Sequence, residues 1–98
     1  MTVYAIAQLT IHDRARYERY AARFLPVLER YGGRLLAADE RPAVVEGEWE
    51  REKVVLMAFP DRDAFERWAG SAAYREISRD RTASTEGVVL LVRGVGPG

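Results

Sequence analysis

The chain has no cysteine, one histidine and no net charge, and each shortage narrows what it can do. Zero cysteines remove disulfides, thiolate nucleophiles and Cys-ligated metals together, and make a reducing cytoplasm the default compartment. The lone imidazole, His12, leaves any transition-metal site dependent on carboxylates, and no acidic cluster has a ligand spacing, so His12 reads as a surface or helix-entry residue. With 15 basic and 15 acidic side chains, no electrostatic footprint for nucleic acid or for an anionic membrane is visible. Fourteen of the 15 basic residues are Arg, which reads as coding bias. No apolar run approaches the ~20 residues of a membrane span. Met1 runs directly into a strand-like segment containing Gln8 and Thr10, so no signal peptide is expected. Nucleophile motifs are missing as well: Ser71, Ser78 and Ser84 lack a neighbouring base, and no G-x-S-x-G, Walker or G-x-G-x-x-G segment occurs. No cofactor is therefore implied by the residues.

What is present is a dense set of apolar segments at strand and helix spacings. The 98 residues read as one domain, residues 1–98, with a thin core that gains from an oligomer partner. Val3 to Ile11 alternates with period two and is a strand. Asp13 suits an N-cap, and Tyr17, Tyr20, Ala21, Phe24, Leu28 and Tyr31 recur at three- and four-residue spacing, predicting a helix over 13–31 that Pro26 kinks and Gly32-Gly33 ends. Leu35 to Ala38 begins a second strand, which breaks near Pro42 and resumes at Val44. Val44 to Trp49 and Val54 to Phe59 flank the polar Glu50-Arg51-Glu52-Lys53, the pattern of a hairpin with a four-residue connection. Asp61 caps a helix whose stripe is Ala64, Phe65, Trp68 and Ala69. Ser71 caps a shorter one carrying Tyr74, Ile77 and Arg81 on one face, followed by a loop over 82–85. Val88 to Val92 closes the domain as an apolar strand, and Gly94 to Gly98 is a frayed tail.

The order β-α-β-β-α-β predicts a ferredoxin-like α+β fold, a four-stranded antiparallel sheet with its helices on one face. The opposite face still carries apolar residues from every strand, so a homodimer with facing sheets is expected.

These residues resemble a known family, the domain of unknown function numbered 1330 of the dimeric α/β-barrel superfamily. The resemblance rests on Tyr4, Asp13 with Tyr17 and Tyr20, Gly32-Gly33-Arg34, Glu46-Gly47 with Trp49, Phe59-Pro60, and Trp68, Ser71, Tyr74 and Arg81. Ala69 and Ala72-Ala73 stand where that pattern carries more polar residues or proline. The resemblance implies a two-fold dimer with facing sheets and no agreed substrate. Superfamily relatives include cofactor-free monooxygenases, haem-handling enzymes, lactone isomerases and plain ligand-binding modules, an analogy at fold level.

Glu46 is the residue with the least obvious structural explanation. It shares a strand face with Val44, so its carboxylate is expected to point into protein and to meet a cation, Arg81 first and Arg34 second. The structural reading is that Glu46 sits near an exposed edge or forms an ion pair fixing the C-terminal helix; the functional one is a catalytic constellation, with Glu46 as general base or substrate anchor and Arg81 stabilising negative charge. Tyr20, Trp68 and Tyr74 are the candidate substrate-binding residues, since buried Tyr and Trp each need a polar partner. Two functions follow: an enzyme without cofactor, monooxygenase or isomerase, acting on a small organic molecule in a cleft between sheet and helices, or a non-catalytic ligand-binding or structural module.

Overall fold

In the computed structural model, which describes residues 1–96, the chain runs β1 (Val3–Ile11), α1 (Arg14–Arg30), β2 (Arg34–Asp39), β3 (Lys53–Phe59), α2 (Arg62–Ala69), α3 (Ala72–Ser84) and β4 (Thr85–Arg93). The four strands form one antiparallel sheet in the order β2-β3-β1-β4, the ferredoxin-like arrangement expected of β-α-β-β-α-β. The alternation of β1 sorts its side chains. Val3, Ala5, Ala7 and Leu9 are buried under the helices, while Tyr4, Ile6, Gln8 and Thr10 lie half-exposed on the outer face. Val55, Met57 and Phe59 of β3 join the inner set. Against them pack Tyr17, Tyr20, Phe24, Val27 and Leu28 of α1, Ala64 and Trp68 of α2, and Tyr74 and Ile77 of α3. One sheet under one helix layer makes a slab of 36 × 36 × 16 Å, bare on the second face.

Local chemistry sets the helix ends as expected. Asp13, Asp61 and Ser71 each accept a backbone N–H of the first turn, at 3.2, 2.8 and 3.1 Å. Gly32 takes φ +80° after α1, and Gly33 lets Leu28 and the Phe59 ring close on the backbone where a Cβ has no room. Helix α1 continues through Pro26.

Three expectations are corrected. Val44–Trp49 is not a strand: the chain leaves the sheet after Asp39, and residues 40–52 form a loop between β2 and β3. Pro42 cannot donate to a ladder and Gly47 adopts φ +85°, while Val45 is 96% exposed, so neither backbone nor burial supports pairing there. The sheet irregularity lies earlier, a bulge at Leu36 between the Leu35–Met57 and Ala37–Leu56 pairs. The loop expected over 82–85 is absent, because α3 runs to Ser84 and β4 starts at Thr85. There the hydroxyls of Thr82, Ser84 and Thr85 donate to the carbonyls of Ser78, Asp80 and Arg81, keeping polar residues helical to the last turn. Of the tail expected over 94–98, Gly94 N–H is bonded to Thr2 O at 2.8 Å, and residues 97–98 lie outside the described part.

On the outer face the register stacks Ile6 with Leu56 and Leu90, and Tyr4 with Ala58 and Val92. Val88, Leu90 and Val92 are 42–46% exposed, so this face is apolar and open. Trp49, from the 40–52 loop, reaches its edge and donates from Nε1 to Gln8 Oε1 at 3.0 Å.

Candidate functional site: a cavity between sheet and helices

Small residues meet where the sheet and helices face one another. Ala7 on β1, Ala38 on β2, Ala21 on α1 and Ala69 on α2 all lie around one space, and their short side chains leave a cavity of about 260 Å³. Larger side chains form the rest of the wall: Leu9, Tyr17, Tyr20, Phe24, Leu35, Lys53, Val55, Met57, Phe65, Trp68, Tyr74, Arg81 and Val89. Such a volume lies just below the roughly 300–1,000 Å³ of ordinary ligand pockets and well above the ~150 Å³ that accepts benzene.

The aromatic wall is a connected series. Tyr20 packs on Phe24 with centroids 5.5 Å apart, Phe24 meets Trp68 edge-on at 6.2 Å and 90°, and Trp68 lies against Tyr74 at 4.0 Å. The Tyr20 and Tyr74 hydroxyls are 3.0 Å apart and buried, with either able to donate. Burial, followed by the Tyr74 hydroxyl, pushes the Tyr20 phenol well above its ordinary range, so it stays neutral and can act as a hydrogen-bond donor. Two other donors are left over. Among the described residues, the buried Trp68 Nε1 and Arg81 Nε have no hydrogen-bond partner. Buried donors of native proteins are nearly always paired, and one left alone costs about 1–3 kcal/mol; both of these belong to residues of the cavity wall, where acceptor atoms of a ligand would relieve them.

The expected site residues divide. Tyr20, Trp68, Tyr74 and Arg81 converge on the cavity, but Glu46 does not join them. It sits exposed on the 40–52 loop, off the cavity wall, and makes no ion pair with Arg81 or Arg34. The strand that was to point it inward does not form. Asp80, next to Arg81 in sequence, is no substitute partner: it pairs with Arg16 Nε at 2.9 Å and Arg19 Nη2 at 3.5 Å, clamping α3 to α1. The Arg16 hydrogen bond is the main reason its carboxyl titrates below the ordinary range. His12 is exposed on the β1–α1 connection, where its backbone N–H donates to Ser84 O at 2.9 Å. No group of metal-ligating side chains occurs among the described residues.

Sequence reasoning missed Lys53 and Tyr17 as site residues. Lys53 is the one lysine of the chain, and its Nζ sits 4.8 Å above the centre of the Tyr17 ring. Its signal was its place at the head of an otherwise apolar strand, but the hairpin reading assigned it to a turn. With Leu9 and Val55 it closes the cavity at the end of the sheet where β1 stops.

Comparison with known proteins agrees with this architecture. A protein of unknown function from Rhodopseudomonas palustris superposes with a TM-score of 0.83 at 17% identity, over 98% of this chain and 84% of that one. SnoaB, a cofactor-independent oxygenase from Streptomyces nogalater, gives 0.68 at 16% identity over 98% and 95%. A dabb family protein with a ferredoxin-like fold from Mesorhizobium loti gives 0.72 at 14% identity over 97% and 98%. At such identities the likeness is one of fold. Among curated proteins none matches the chain. The model of one family, Domain of unknown function (DUF1330), matches residues 2–95, and the chain therefore belongs to that family.

Proposed function

We propose that the protein is a cytoplasmic homodimer whose subunits each bind a small, flat organic molecule in the cavity between sheet and helices, and act on it without a tightly held cofactor. The observation that carries this reading is the pair of buried donors, Trp68 Nε1 and Arg81 Nε, left without partners on the wall of an otherwise apolar cavity. In the catalytic version, oxygenation or isomerisation, Trp68, Tyr20 and Tyr74 hold the molecule, and Arg81 with a tyrosine hydroxyl stabilises negative charge that develops on it. The fold shared with SnoaB, a cofactor-independent oxygenase, makes that chemistry the first to try. Glu46 has no part in it, being off the cavity. The homodimer is supported by the outer face, where Ile6, Leu56 and Leu90 form an open apolar row.

A second reading has its own observation. Among the described residues no carboxylate or imidazole lines the cavity, so a proton acceptor of the usual kind is missing from them, which favours a binding module without turnover. Calorimetric titration with a panel of one- and two-ring aromatics, run beside oxygen uptake with enolisable members of the panel, separates the two. Binding with oxygen uptake or isomerised product supports the enzyme. Binding alone supports the module. No binding to the native protein, with Ala7→Val and native protein indistinguishable, removes the cavity reading.

A further inference from the structure

The geometry points to an organic monoanion as the molecule this cavity takes: a flat apolar body against Trp68 and Phe24, with its oxyanion at the end that carries Lys53 and Arg81. This rests on the cavity reading above and adds the charge and orientation of the ligand.

Among the described residues the cavity wall holds two cationic side chains, Lys53 and Arg81, and no acid. Both lie at the same end. Lys53 pairs with Leu9 in the sheet and leans on Tyr17, in the first turn of α1. Arg81 is in the last turn of α3, whose Ser84 carbonyl accepts the N–H groups of His12 and Asp13 just beyond β1. At the other end, Trp68, Phe24, Phe65, Met57 and Leu35 offer only carbon surface and one indole N–H. The space is thus polarised, cationic at one end and apolar at the other.

Four carboxylates of the neighbouring segments have partners of their own. Glu40 is held by Arg14 at 2.8 Å, and although it feels the charge of Lys53 it makes no ion pair with it. Asp80 is shared by Arg16 and Arg19, Glu52 accepts the Ile11 N–H at 3.2 Å, and Asp13 caps α1. Neither Lys53 nor Arg81 forms an ion pair with any described residue. A cation beside a low-dielectric space without a counter-charge is unfavourable, and an anion entering the cavity supplies that charge. A ligand that arrives as an anion also needs no base to form it, which fits a wall without carboxylate or imidazole.

The test uses 2-naphthoate and its neutral isostere 2-naphthamide, titrated calorimetrically into the native protein and into Lys53→Met, Arg81→Met and Ala7→Val. The expected result is naphthoate binding at least about tenfold tighter than the amide, since charge-assisted hydrogen bonds are about twice as strong as neutral ones. Each Met variant should erase most of that ratio by weakening naphthoate alone, and Ala7→Val should weaken both probes. Amide binding as tight as naphthoate, or a ratio unchanged in both Met variants, overturns the inference while the cavity reading stands. Failure of both probes to bind the native protein overturns the inference, and the cavity reading falls with it if the native protein and Ala7→Val are also indistinguishable across the aromatic panel.

Discussion

Ala5 and Ala7 are adjacent on the inner face of β1, and the cavity makes opposite demands on them. Ala7 lines the space, whereas Ala5 is wholly buried and does not. Ala7→Val adds two methyl groups to a void, and at about 0.8 kcal/mol per buried carbon the transfer gain is roughly 1.6 kcal/mol before loss of rotamer freedom. A β-branched residue also suits a central strand. The net expectation is a stabilisation of about 1 kcal/mol, which for a chain of this size raises the Tm by roughly 4–8 °C. Ala5→Val puts the same methyls into filled space between Met57 and Leu91, where overpacking costs about 1–3 kcal/mol. Urea denaturation of both variants beside the native protein, with calorimetric melting as a second probe, measures the difference. Opposite signs at two positions of one strand face follow from the cavity. Equal destabilisation of both refutes it, because Ala7 would then be as tightly packed as Ala5.

Arg81→Met removes an uncompensated buried donor and keeps the bulk of the side chain, so the denaturation midpoint should hold or rise, by up to about 1–3 kcal/mol, whereas Arg62→Ala on the exposed start of α2 stays within about 0.5. A clear loss in Arg81→Met would mean that the guanidinium has a partner after all. Glu46→Gln, on the exposed loop, should change stability by less than about 0.5 kcal/mol and leave any cavity ligand bound as before, as denaturation and titration of one sample will tell. Asp80 and Glu40 titrate below the ordinary carboxylate range because arginines bind their ionised forms, so the stability they contribute is complete above pH about 4 and lost as the pH falls through their lower folded values. Asp80→Asn should flatten that acid limb in midpoints measured across it, and an unchanged limb refutes the clamp. Sedimentation should give about twice the 11.1 kDa chain mass, and Leu90→Asp on the outer face should give the monomer; a native monomer sinks the facing-sheet dimer.

The parts of the fold that could be read in advance are those whose local chemistry and burial agree. In β1 the alternation Val3, Ala5, Ala7, Leu9 is both a strand pattern and the true inner face, and Asp13, Asp61 and Ser71 cap helices through bonds spanning three residues. The Val44–Trp49 arm departs from its apolar pattern because apolar residues there are not buried in a sheet. Val44 and Val45 are in solvent, and Trp49 is anchored by one hydrogen bond to Gln8, a partner 41 positions away that no periodicity reveals. Glu46 fell with that arm. Arg81, Tyr20, Trp68 and Tyr74 were legible because helical spacing put them on inward stripes. That the cavity is bounded by Ala7, Ala21, Ala38 and Ala69 was not, since a lone alanine looks the same in a tight core and beside a void.

The direct joint between α3 and β4 governs which length changes the chain can absorb. One residue inserted between Ser84 and Thr85 shifts β4 by one position against β1 and turns each of its side chains to the opposite face. Val89 would leave the cavity wall and Leu90 the outer row in the same step, and Gly87, which lies against the Gln8 carbonyl where no Cβ fits, would give up its place to a bulkier neighbour. The 40–52 loop meets no such constraint, because sheet pairing ends at Asp39 and resumes at Lys53. Chain length among relatives should therefore vary across that loop, and the stretch from Arg81 into β4 should keep its count to the residue.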